Sequence, residues 1–186
     1  MQKKQSYLVN ICVSAILVAL EVVLNRFCSI NTAGLKIGFA FIPPTFAAIA
    51  LGPIAGAAVY AVSDLLGAML FPIGPYHPGF TVCAALMGVV AGMFLNENPV
   101  SAISRRRVRF WRNIVPPVLI NCVLIGLLIN TAWVSMLYGS RTYFGWFLYR
   151  LGEYAVLIPV QLISIPILVK VVDKLKKSGL LPGGLK

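Results

Sequence analysis

Six apolar segments separated by short polar or proline-containing stretches make up most of the 186-residue chain. A helix needs about 20 predominantly apolar residues to cross the hydrocarbon core of a bilayer, and most of these segments approach that length. The pattern therefore predicts a single domain, residues 1–186, with an all-α integral membrane fold of six transmembrane helices. The predicted helices cover residues 7–25, 37–51, 54–71, 79–95, 113–138 and 146–169.

The composition excludes a soluble fold. Hydrophobic residues make up 59% of the chain, whereas soluble domains are roughly 45–50% apolar even when glycine is counted. Sixty residues between Lys36 and Glu97 carry one formal charge, that of Asp64, and 28 uncharged residues run from Asn113 to Ser140.

The net charge of +11 is concentrated at the edges of the apolar segments. Six helices bring both termini to one side, where twelve Lys and Arg residues then collect against four on the other side. Because Lys and Arg are enriched in cytoplasmic loops, the asymmetry predicts that both termini are cytoplasmic in a multi-pass protein of the cell membrane. Each basic block borders a predicted span, which disfavours nucleic-acid binding.

Motifs for catalysis are missing from the sequence. There is no G-x-x-x-x-G-K-[ST] phosphate-binding loop, no H-E-x-x-H and no G-x-S-x-G. One histidine, four scattered cysteines and five acidic residues give little material for a catalytic pair or a metal site. We therefore expect no enzymatic activity, no metal and no cofactor.

Asp64 is the first candidate for ligand binding. A carboxylate inside a membrane segment costs at least ~2.5–3.5 kcal/mol on insertion scales, so it normally faces a cavity or a partner. The alternative is a structural hydrogen bond to a neighbouring helix, or protonation. Arg150 and Glu153 are three residues apart and can pair on one helix face, which favours a structural role for them.

The loops opposite the basic side carry further candidates for binding. Their cations include Arg26, Lys36 and Arg141, and arginine is suited to holding a carboxylate. Aromatic residues crowd the same zone, although an interfacial aromatic belt explains most of them. The aromatic and histidine candidates are Phe39, Tyr76, His77 and Trp146, with a turn role as the alternative for His77.

Small residues recur at four-residue spacing, which allows helices to approach closely in lipid. We expect the pairs Gly52/Gly56 and Gly88/Gly92 to pack inside the bundle. Ala15 and Ala19 form a third such pair on the first helix.

The segment 26–95 resembles the substrate-binding S component of energy-coupling factor (ECF) transporters, and among these the folate-specific members. The resemblance rests on KIGFAFIP at 36–43, on the spacing GP..G.......D.LG..LFP.GPY.PGFT that ends at Thr81, and on a lead-in at Arg26. It implies a six-helix fold that binds a vitamin near the outer surface and works with a transmembrane coupling protein and two cytosolic ATPases. It also implies that Ala15 and Ala19 form the family's AxxxA docking motif.

Folate agrees with the chemistry of these residues. Asp64 is the candidate acceptor for the pterin N–H donors, the aromatic residues are candidates for stacking, and Arg26, Lys36 and Arg141 are candidates for the glutamate carboxylates. Three alternatives stay open: an S component for another vitamin such as thiamin, riboflavin or another pterin, an intramembrane enzyme acting on a lipid or isoprenoid, and a self-contained channel or proton-coupled carrier.

Overall fold

The computed structural model describes residues 2–32, 35–72, 74–96, 107–139, 142–179 and 181. Over these residues the chain is helical apart from one short hairpin and the connections. The elements in chain order are α1 (Gln2–Phe27), β1 (Ile30–Thr32), β2 (Leu35–Ile37), α2 (Ile42–Leu51), α3 (Pro53–Leu70), α4 (Pro78–Leu95), α5 (Arg107–Leu119), a π-helical segment (Ile120–Ile129), α6 (Asn130–Tyr138) and α7 (Tyr143–Lys177).

Within the described ranges these elements form six helical rods, as the hydropathy pattern predicted, because α5, the π-helical segment and α6 follow one another without a break. Five rods are long and apolar enough to cross a membrane. The exception is α2, whose ten residues span about 15 Å, half of the ~30 Å hydrocarbon core. The chain breaks between α2 and α3 at Gly52, whose φ of +104° favours glycine, and Pro53 then begins α3.

The first connection contains a β-hairpin where the sequence predicted only a polar loop within an all-α fold. β1 and β2 pair antiparallel, with Ile30 opposite Ile37 and Thr32 opposite Leu35. Strands of three residues are too short to produce a recognisable period-two pattern, which is why the sequence did not reveal them.

Close backbone packing joins α3 to α4. A Cβ atom added at Gly88 would lie 2.5 Å from the carbonyl oxygen of Gly56, and one added at Gly92 would lie 2.2 Å from Cα of Pro53. Both glycines therefore allow contact that a side chain would prevent. The prediction that these small residues pack inside the bundle is confirmed.

The connections alternate between the two ends of the bundle. At one end, the Ile49 carbonyl accepts hydrogen bonds from Asn96 Nδ2 at 2.8 Å and Lys176 Nζ at 3.2 Å, which joins the ends of α2, α4 and α7. At the other end, Phe27 packs edge-on against Phe71 with ring centroids 5.3 Å apart. The main apolar core lies toward the first end and includes Ile49, Leu95, Ile114, Val118, Val169 and Val172.

Candidate ligand-binding cavity

A cavity of about 370 Å³ lies between the helices and opens toward the end that carries the hairpin. Its size falls in the range of small-molecule sites. Many of its walls are apolar, but an unusual number of polar side chains also line it. The larger polar side chains are Glu21, Asn25, Arg26, Thr45, Tyr60, Asp64, Asn121, Asn130, Arg150, Glu153, Tyr154 and Gln161.

Asp64 lies in the wall formed by α3, within a short chain of hydrogen bonds. Thr81 Oγ1 of α4 donates to Asp64 Oδ2 at 2.7 Å, and the hydroxyl of Tyr76 lies 2.7 Å from Thr81 Oγ1. Ion pairs in the described part of the chain join Arg150 to Glu153 and Lys177 to Asp173, so Asp64 takes part in none of them. Its carboxylate is held in place by a hydroxyl donor and lies in the cavity wall, which suits it to accept further donors from a ligand.

Arg26 reaches the cavity from the end of α1 and packs on α3. A Cβ atom added at Gly67 would lie 2.9 Å from Arg26 Nε. The guanidinium can therefore pack against the α3 backbone only because residue 67 has no side chain. Asp64 and Glu21 both lie within electrostatic range of it. Arg26 Nε is buried and has no hydrogen-bond partner among the described residues, which leaves a donor for a ligand in the wall.

Arg150 forms the centre of a buried polar cluster on α7. Its Nε donates to Glu153 Oε2 at 3.3 Å, Nη1 to Thr131 Oγ1 at 3.2 Å and Nη2 to the Tyr154 hydroxyl at 3.0 Å. The predicted pair of Arg150 and Glu153 is confirmed. Because all three nitrogens are engaged, the cluster acts as a rigid polar part of the cavity wall.

Several polar residues of the cavity were missed in the sequence. Asn25 Nδ2 donates to Glu21 Oε1 at 2.5 Å, and the Tyr60 hydroxyl lies 3.2 Å from Thr45 Oγ1. Asn121, in the π-helical segment, also lines the cavity. The available signal was the same one that singled out Asp64, namely a polar group inside an otherwise apolar segment.

Of the eight predicted ligand residues, Asp64, Arg26 and Tyr76 line the cavity together. Arg141 lies outside the described residues, and Lys36 lies in β2 with a side chain outside the described part.

Phe39, His77 and Trp146 are not among the described residues that line the cavity. His77 instead caps α4 by accepting a hydrogen bond from the Gly79 amide at 3.0 Å, and its ring stacks on Trp133. Trp146 is buried against Tyr138, and Phe39 is exposed. Their predicted contact with a ligand gains no support from these positions.

Comparison with known proteins identifies the family. Residues 9–172 match the model of the substrate-specific component of ECF transporters. The chain belongs to this family. ECF substrate-specific components are transport proteins of the bacterial membrane rather than enzymes, so the predicted family, the membrane location and the absence of enzymatic activity are confirmed.

Proteins similar to the ECF component include two folate transporters and a solved structure. The ECF component is 36% identical over 162 residues to the folate transporter FolT of Clostridium novyi (strain NT), covering 87% of this chain and 88% of that protein. It is 28% identical over 125 residues to FolT of Leuconostoc mesenteroides, covering 67% and 62% of the two chains. A crystal structure of FolT bound with folic acid matches with a TM-score of 0.74 and 32% identity, over 86% of this chain and 90% of the other.

Proposed function

We propose that this ECF component is a high-affinity folate-binding subunit that captures folate outside the cell and delivers it inward. The observation that carries the proposal is that the Asp64 carboxylate and the Arg26 guanidinium lie near each other in the wall of one cavity. The similarity to FolT bound with folic acid supports the same ligand.

The pterin ring matches the chemistry of this pair of residues. Its pyrimidine edge presents an N–H and an amino group side by side, and one carboxylate can accept from both, as proposed for Asp64. The neighbouring ring carbonyl is an acceptor, and Arg26 is the donor within reach of the same edge. Since Arg26 packs on Gly67, about one helical turn from Asp64, we assign it to the pterin rather than to the glutamate tail.

The glutamate tail of folate carries two carboxylates and needs cations. Lys36 and Arg141 stay the candidates for this role, because both belong by sequence to the connections at the cavity mouth. Tyr76 lines the mouth and is the candidate to stack on an aromatic ring of the ligand, while its hydroxyl bonds to Thr81.

ATP-driven transport would require partners that hydrolyse ATP, since the sequence has no phosphate-binding loop. We propose that these are a transmembrane coupling protein and two cytosolic ATPases, with both termini of this subunit cytoplasmic. Ala15 and Ala19 support a docking surface because both are exposed on α1. Their small side chains allow a partner helix to approach at backbone distance.

Equilibrium binding by the detergent-purified subunit tests the proposed ligand. We expect saturable binding of folate that excess thiamin and riboflavin do not displace. Displacement by either vitamin, or binding of that vitamin with greater affinity than folate, would reassign the substrate within the family.

A further inference from the structure

The fifth helical rod changes its period for ten residues at the level of the cavity. Along this stretch the exposed positions are Leu119, the pair Val123 and Leu124, and the pair Leu128 and Ile129, so the exposed face recurs every four to five residues. An α-helix returns to the same face after three or four residues. The Asn130 amide donates to the Ile125 carbonyl, five residues earlier, which is the bonding of a π-helix.

The neighbouring sequence explains where the α-helix ends. Pro116 and Pro117 lie in the last turn of α5 and have no N–H to donate to the preceding turn. The regular hydrogen-bond ladder is therefore interrupted just before the π-helical segment begins. Such segments are rare and occur frequently at functional sites.

The changed period brings two amide side chains to one face. Asn121 and Asn130 are nine residues apart, which in an α-helix is 2.5 turns and would put them on opposite sides. Bonding from i to i+5 widens each turn, so that nine residues make about two whole turns. Both residues line the cavity, in agreement with the wider turn.

Among the residues that the structure describes, neither amide oxygen has a hydrogen-bond partner. Asn121 Nδ2 donates to the Met87 carbonyl of α4 at 3.1 Å. This hydrogen bond fixes the orientation of the amide and identifies which of its two ends is the oxygen. The Oδ1 atoms of Asn121 and Asn130 are buried and accept no hydrogen bond from the described residues. Buried acceptors in native proteins nearly always have a partner, so these two require a ligand or a bound water.

We propose that the π-helical segment is part of the substrate site, and that the amide oxygens of Asn121 and Asn130 accept hydrogen bonds from N–H groups of the bound ligand. This inference rests on the proposed function. It assigns the recognition of N–H donors, such as those of an aminopterin ring or an arylamine, to this rod as well as to Asp64. The proposal also explains the π-helical geometry, since a regular α-helix would turn one of the two amides away from the ligand.

Substitution by leucine, which has a similar volume and no acceptor, tests the inference in the full-length purified subunit. Asn121→Leu and Asn130→Leu should each weaken folic acid binding about two- to tenfold, the effect of one neutral hydrogen bond. Asn10→Leu is the matched control, because its Oδ1 is also buried without a described partner but Asn10 does not line the cavity. The control should bind like the wild type.

The melting temperature without ligand separates a binding role from a structural one. It should not fall in Asn130→Leu, because leucine there removes only an unpartnered acceptor. Asn121→Leu also loses the hydrogen bond to the Met87 carbonyl, so a small fall is expected in that variant. The inference would be overturned if both variants bound folic acid with wild-type affinity. It would also be overturned if every variant with weaker binding also had a lower melting temperature without ligand. Asn121→Ala and Asn130→Ala provide the same comparison if a leucine variant does not fold. Failure of the wild type to bind folic acid would refute the proposed function itself.

Discussion

Replacing Asp64 with asparagine changes the chemistry of the cavity wall with little change in shape. Thr81 Oγ1 donates to Asp64 Oδ2 at 2.7 Å, and an asparagine oxygen can accept the same hydrogen bond. The NH₂ group of the new amide then points where the second carboxylate oxygen was. Two neighbouring N–H donors of a pterin would meet one donor and no charge, so bidentate acceptance fails.

The expected loss of affinity follows from one charge-assisted hydrogen bond. Such a bond contributes about 1.5–3 kcal/mol, and each 1.4 kcal/mol corresponds to a tenfold change in Kd. Asp64→Asn should therefore weaken folate binding about 10- to 150-fold. The ligand-free protein should keep its stability, because Asp64 takes part in none of the ion pairs found among the described residues.

Titration calorimetry with folate measures the affinity, and a thermal melt without ligand measures the stability. Asp173→Asn is the matched control, since Asp173 pairs with Lys177 near the end of α7, away from the cavity. Unchanged affinity in Asp64→Asn would refute the assignment of this carboxylate to the ligand. A lower melting temperature with normal affinity would instead identify Asp64 as a structural link between α3 and α4.

Three further changes probe docking, packing and orientation. Ala19→Trp should abolish uptake and pull-down of the coupling protein while folate binding survives, because an indole on the exposed face of α1 separates the partner helix from it without pointing into the cavity; normal transport would refute the docking surface. Gly88→Ala should lower stability by about 1–3 kcal/mol in a thermal melt, whereas Gly152→Ala, where a new Cβ has nothing within 4 Å, should not; equal melts would contradict the packing account. Cys28 is exposed and should react with an impermeant thiol reagent in intact cells, and a cysteine introduced into the basic segment 97–112 should not; the reverse pattern would invert the topology.

Hydropathy was sufficient to find the six helical rods, because long apolar stretches in this chain have few structural alternatives. It was less informative about α2, since the predicted segment 37–51 combined a helix of ten residues with part of the hairpin. Local hydrogen bonds determine where such short helices and strands begin and end. Neither the three-residue strands nor the cap that His77 forms on α4 has a periodic signature.

The site was predictable where a single polar residue interrupts an apolar segment. Asp64 fitted that rule, and the structure brings it into one cavity with Arg26 and Tyr76. The sequence does not predict that Asn121 and Asn130 lie together, because their nine-residue spacing corresponds to opposite faces of an α-helix. Only the π-helical geometry, a property of the folded backbone, brings them together.

Mass spectrometry of the small molecules that co-purify with the subunit tests its central assignment most directly. The subunit should be expressed without its partners, extracted in mild detergent and denatured to release any bound compound. We expect folate or a reduced folate in the wild-type sample and a much smaller amount from Asp64→Asn. Recovery of a different vitamin from the wild type, with no folate species present, would contradict the account.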